Sequence, residues 1–149
     1  CGSPGTLLHL LWRCPKLNRY WEQVLDDIDS IFQVRFLRFP TYVLLGLPDR
    51  LTFPLYSLRG KATALVLSAA KKAISDLWGK PNPPTRVNWL HRLWHLLGME
   101  RISASLTQSY TRFNKIWGPC IEFLSQEFTE LTCPQYLRVL HLTDAVSQA

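Results

Sequence analysis

From Pro15 onward the apolar positions of this 149-residue chain recur at intervals of three and four, the spacing that lines side chains along one helix face. Leu17, Tyr20, Trp21, Val24, Leu25, Ile28, Ile31 and Phe32 predict a first amphipathic helix of about five turns, with Glu22, Asp26 and Asp29 outward. Pro40, Gly46 and Pro48 bracket a short apolar piece, Tyr42 to Leu47, read as a helical turn with a strand-like piece as the alternative. A long helix is expected from about Leu55 to Trp78, stopped by Gly79 and the Pro81–Pro84 loop. On its wheel Lys61, Ser68, Lys71, Lys72 and Ser75 gather within about 100°, and nearly everything else is apolar, which predicts a central helix buried on most sides. Thr85 caps a fourth helix carrying Trp89, Leu90, Leu93, Trp94 and Leu97. A fifth holds Tyr110, Phe113, Ile116 and Trp117; Gly118-Pro119 should break or kink it before it resumes through Ile121, Phe123, Leu124 and Phe128. Tyr136 to Leu142 marks one more short helix before a frayed end.

The expected fold is therefore all-α, an irregular bundle of about five or six helices behind a partial N-terminal zinc-knuckle-like turn. Its divisions are a knuckle-like segment 1–19, a helical domain 20–130 and a tail 131–149. Trp21, Leu65, Ala69, Trp78, Trp94 and Trp117 are the expected centre of one core, with Ala69 at a close helix crossing.

Composition agrees with a packed domain. Apolar residues make up 47% and aromatics 12%, including six Trp, which argues against disorder over most of the chain. A chain of this length can bury roughly 68–70% of its unfolded surface, enough for one core. The longest apolar run, Ala62 to Ala70, is interrupted by Thr63 and Ser68 and falls short of the ~18–20 residues of a membrane span. There is no signal-peptide architecture, and no membrane partner is expected.

Charge is uneven. Residues 1–34 carry three basic and four acidic side chains, 35–115 thirteen and three, and 116–149 one and four. A basic middle between acidic ends suits an anionic partner such as nucleic acid. The alternative is a soluble domain whose positive surface is merely scattered.

The N-terminus holds the densest chemistry. Cys1, His9 and Cys14 form C-x7-H-x4-C, three ligands of a type that structural zinc takes four at a time. Thr6 is a suitable cap for a short apolar helix, Leu7 to Arg13, with His9 inside it. His9 and Cys14 would lie about 140° apart on a continuous α-helix. Pro15 pushes the residue before it out of the helical region, so Cys14 can sit past the helix end and turn back toward His9. Gly2, Pro4 and Gly5 supply the turn after Cys1. The competing reading makes His9 and Cys14 ordinary part-buried residues beside Leu8, Leu11 and Trp12.

The run from Gly5 to Lys16 (GTLLHLLWRCPK), followed by Tyr20-Trp21-x2-Val24 and Ile28, resembles the C-terminal cysteine-rich region of LINE-class (non-LTR) retrotransposon reverse transcriptases. That family shows C-x(2–3)-C-x(7–8)-H-x4-C, then Cys-Pro, an aromatic-Trp pair and a helical tail. Leu44-Leu45-Gly46, Ala69-Ala70-Lys71-x2-Ile74-x3-Trp78, Pro84-Thr85-x3-Trp89, Met99-Glu100 and Phe113-x3-Trp117 follow in the tail's order. The likeness spans residues 1 to 124, with His9 to Trp21 its specific part. The first knuckle Cys of the motif is missing, so an upstream Cys is expected in a longer parent protein.

The resemblance implies a zinc site in that intact parent, incomplete with the three ligands of this chain alone, and an intracellular setting in cytoplasm and nucleus. It implies a parent RNA-directed DNA polymerase and a non-catalytic accessory role here, holding template RNA or single-stranded or target DNA during target-primed reverse transcription. The rest of the reverse transcriptase would be a partner, and no small-molecule substrate is expected. Arg13, Lys16 and Arg19 flank the knuckle, and Lys61, Lys71 and Lys72 share a stripe; these six are the candidate phosphate contacts. The alternatives are a helical scaffold that braces the polymerase, and a decayed fragment without present function. Cys120 and Cys133 are read as free thiols.

Other sites fall away. Asp26-Asp27 has Leu25 before it and lies in an amphipathic helix, not in the aromatic-x-Asp-Asp hairpin of a polymerase, so a solvated face is expected. His91 and His95 lie one turn apart, but Arg92 stands where a metalloprotease helix has Glu, and no third ligand is evident. Phosphate-binding and nucleophile-elbow glycine motifs are absent.

Overall fold

A computed structural model describes residues 1–2, 4–36, 38–46 and 57–130. Five α-helices follow the N-terminal turns among these residues: α1 (Asn18–Phe32), α2 (Pro40–Leu45), α3 (Leu58–Asp76), α4 (Arg86–Leu106) and α5 (Tyr110–Glu130). The fold is all-α. The expected helix at Tyr136–Leu142, the tail 131–149, Cys133, Leu47 and the expected helix start near Leu55 lie outside the described residues.

Each helix begins and ends for a local reason. Ser57 caps α3 by accepting the Gly60 N–H at 3.0 Å. Thr85 caps α4 in a reciprocal box, its hydroxyl accepting the Asn88 N–H while the Asn88 side chain accepts the Thr85 N–H. Gly46 ends α2 with φ +68°, the left-handed conformation that a helix C-terminus favours and glycine adopts without a Cβ penalty. At the end of α1 the same conformation falls on Gln33, φ +52°.

The core is assembled around α3, which touches α1, α2, α4 and α5. Ala62, Ala70 and Ala73 are buried there, and their short side chains allow neighbouring helices to come close. The Tyr20 hydroxyl near the start of α1 donates to the Ala70 carbonyl at 2.7 Å, while Ser30–Gln33 at its other end share a cavity with Arg59 near the start of α3. The two helices thus run antiparallel. The turn 107–109 folds α5 back along α4, where Trp94 meets Phe128 edge-on at 5.4 Å. Trp21, Ala69, Trp94 and Trp117 are buried in one connected cluster as expected, with Leu65 half-buried against it.

Three expectations are corrected. Trp78 is 51% exposed rather than core: α3 stops at Asp76, and Gly79 at φ +77° turns the chain, so Trp78 lies past the last helical position. Gly118-Pro119 does not interrupt α5, which is continuous through it. Pro119 is exposed, so the helical bond it cannot make is lost on a solvent-facing side. Asp27 turns inward rather than out to solvent. Arg86 clamps it with Nε and Nη2 at 2.6 and 3.2 Å and reaches Glu127 with Nη1 at 2.6 Å, joining α1, α4 and α5. The guanidinium also lies 5.7 Å over the Phe123 ring. Burial holds the Asp27 carboxyl above its ordinary range against the pull of Arg86, whereas the Arg86 hydrogen bond draws Glu127 below its own.

Candidate metal centre and its basic surroundings

Thr6 initiates the N-terminal turn: its hydroxyl accepts the His9 N–H at 3.2 Å, and its carbonyl accepts the Leu10 N–H at 2.9 Å. The chain then winds wider than an α-helix. His9–Arg13 form a π-turn closed by the Cys14 N–H donating to the His9 carbonyl at 2.9 Å. In such a turn residues five apart stack, so the His9–Cys14 spacing that would diverge on an α-helix converges here. Cys14 itself is extended, φ −65° and ψ 123°, as the following Pro15 requires. A 3-10 turn, Pro15–Leu17, then buries Leu17 and leads into α1. Trp21 fastens the turn to the bundle, its indole N–H donating to the Leu11 carbonyl at 2.8 Å and its ring 5.3 Å from that of Trp12.

Cys1 Sγ lies 2.9 Å from His9 Nε2 and 3.5 Å from Cys14 Sγ. All three ligand atoms fall within 4.8 Å of one another, and no other such group occurs among the described residues. Tetrahedral zinc with Zn–S near 2.3 Å and Zn–N near 2.0–2.1 Å sets its ligands about 3.5–3.8 Å apart. To hold an ion the Cys1–His9 pair therefore needs about 0.6–0.7 Å of opening and the Cys1–Cys14 pair about 0.3 Å. Cys1 is exposed, so the group lies at the protein surface. Two thiolates and an imidazole are a zinc-type donor set. Cys120, by contrast, is fully buried in α5, and burial pushes its thiol up to about 12, so it is chemically quiet at neutral pH.

The candidate cations separate into two groups. Arg13, Lys16 and Arg19 are all exposed on the turn and the first residues of α1. The stripe on α3 does not present three comparable charges. Lys71 is half-buried and donates to the Leu44 carbonyl at 2.8 Å, and Lys72 pairs with Asp76 at 2.9 Å. Lys61 is exposed but lies ten residues, about 15 Å along the helix, from Lys71. It lines a cleft with Arg112 of α5, a basic residue that single-helix periodicity could not pair with it. His91 sits 6.0 Å from the Phe128 ring and His95 is exposed.

The chain matches no protein-family model and no solved structure. No helix of the described residues is long and apolar enough to cross a membrane.

Proposed function

We propose that this chain is a non-catalytic accessory region of a LINE-class retrotransposon reverse transcriptase, whose N-terminal turn binds zinc and presents Arg13, Lys16 and Arg19 to the phosphates of RNA or target DNA. The observation that carries the reading is the convergence of Cys1, His9 and Cys14 on one point while the three basic side chains beside them stay exposed. Zinc would fix the turn and so the spacing of those charges; the fourth ligand would be a thiolate ahead of Cys1 in the parent protein, or water. The setting is intracellular, in cytoplasm and nucleus, during target-primed reverse transcription.

Filter binding of single-stranded RNA and DNA by the zinc-loaded chain across a salt series tests this. Binding should fall with salt at a log–log slope near −0.7 per phosphate contacted. Arg13→Ala, Lys16→Ala and Arg19→Ala together should flatten the slope by about two units without unfolding the bundle. Absence of binding at low salt by the folded protein overturns the reading.

A second reading, a helical scaffold that braces a partner protein, is favoured by one feature of α4. Met99, Ile102 and Leu106 are 66%, 56% and 81% exposed at spacings of three and four, an apolar outer stripe on a helix whose inner face is also apolar. In the same assay this reading expects no nucleic-acid binding.

A further inference from the structure

We infer that the seam between α3 and α5, remote from the knuckle, is a second contact site for a single-stranded nucleic acid; the inference rests on the nucleic-acid reading above. Two clefts, of about 410 and 280 Å³, open on either side of this seam and meet at Ile116, which lines both. Arg59 and Lys115 line the larger, Lys61 and Arg112 the smaller. Residues 59 and 61 point to opposite sides of α3 because two steps rotate about 200°. Arg112 and Lys115, three apart on α5, meet them one on each side.

The charge selects the ligand class. Each cleft holds two cations against one carboxylate, Glu122 in the larger and Glu100 in the smaller. Among the described residues no ion pair engages Lys61, Arg112 or Lys115. That contrasts with Lys72, already paired with Asp76. A carboxylate in each cleft weakens any one anion contact, so a lone phosphate is poorly served. A polyanion whose phosphates meet several such cations in series gains from all of them. The floor suits what hangs from a phosphodiester chain: the half-buried Phe123 lines the larger cleft, an apolar ring beside which an unpaired base can rest. Pro119 stands on the same wall. It has no N–H for the Lys115 carbonyl, which leaves a backbone acceptor beside the cleft for a base or sugar donor. Pocket lining, unpaired charge and the proline in α5 thus converge on two adjoining clefts that one strand would cross at Ile116.

The test uses the whole zinc-loaded chain and a fluorescent single-stranded RNA and DNA of mixed sequence. Lys61→Ala, Arg112→Ala and Lys115→Ala together should reduce the salt slope by about two units, shrinking the affinity change between about 50 and 200 mM salt by roughly 20-fold. Zinc content and far-UV circular dichroism should not change. If the triple variant melts early, Lys115→Gln alone decides, with a slope loss near 0.7. A seam variant that keeps the wild-type slope, while the knuckle variant loses its own, overturns this inference and leaves the proposed function intact. Failure of the wild-type chain to bind either strand overturns both. Seam-dependent sedimentation with anionic phosphatidylserine vesicles, without seam-dependent oligonucleotide binding, assigns the groove to a lipid surface and also overturns it.

Discussion

The two ends of α1 meet two kinds of structure. Among the described residues from 1 to 17, Leu17 is the one fully buried apolar side chain, with Leu11 and Trp12 half-buried against α1. Beyond it every long helix buries a row of large side chains, Trp89, Trp117 and Phe128 among them at 2% exposure or less. Burying a large apolar side chain is worth about 1.5–3 kcal/mol, so the bundle stands on its own packing. The knuckle has no such reserve. Its order depends on two attachments, the Trp21 contacts and the three converging ligands, and structural zinc sites contribute on the order of 10 kcal/mol of apparent binding energy. One region is held by surface removed from water, the other by a few directed bonds.

The contrast should show in how each region fails. The largest effect belongs to the core: Trp94→Ala should cost about 3–5 kcal/mol, because Phe128 and its neighbours cannot close over the void. A thermal melt should fall by roughly 10 °C or more, and an unchanged melt would mean the ring is not tightly packed. Next comes the Arg86 hub. Its side chain and those of Asp27 and Glu127 are 27%, 16% and 22% exposed, so Arg86→Met should cost about 2–4 kcal/mol at pH 7, somewhat less than breaking a fully buried pair.

That loss should be pH-dependent, and chemical denaturation across pH measures it. Glu127, drawn below its ordinary range by the Arg86 hydrogen bond, stabilises the fold above its unfolded value near pH 4.3, and the contribution fades as pH falls through its lower folded value. Asp27, raised by burial, acts in the opposite sense, the fold gaining as pH falls through its raised value. Glu127→Gln should therefore weaken the protein at pH 7 and progressively less as pH falls through the lowered folded value of Glu127. The smallest effect on the melt belongs to the metal. A chelator, or His9→Ala, should change Trp12 and Trp21 fluorescence and abolish cobalt–thiolate absorption while shifting the bundle's transition by less than about 1 kcal/mol. A collapse of the whole transition would show that knuckle and bundle form one cooperative unit.

Much of this was legible in the chain. The rows at three and four placed α1, α3, α4 and α5, because one apolar face per helix is a local property. Trp78 escaped because a wheel extends past the end of a helix, although Gly79 already marked the stop. Pro119 was read as a break or a kink, and the break did not occur, because the cost depends on which side of the helix the proline occupies, and that side is set by tertiary contacts. Asp27 carried a readable signal: on the wheel it lies about 20° from Tyr20 and 40° from Ile31, at the edge of the apolar arc, an unusual place for a charge without a buried partner. The partner, Arg86, lies 59 residues away, which no local pattern reveals. The Cys1, His9 and Cys14 set was legible from spacing, whereas the π-turn that converges it was not. The seam cations stayed hidden for the same reason as Arg86: Arg112 and Lys115 meet Arg59 and Lys61 only when α5 folds against α3.

The wide winding at His9–Arg13 has a consequence for length variation. It holds one residue more than an ordinary α-turn between ligands. Deleting Leu10 would let the segment relax to α-winding with its histidine and cysteine four apart and still on one face. The same deletion would rotate the tryptophan behind them away from Trp21. A metal site here would tolerate a one-residue contraction, and the docking of the turn onto the helix beneath it is the property that such a contraction would forfeit.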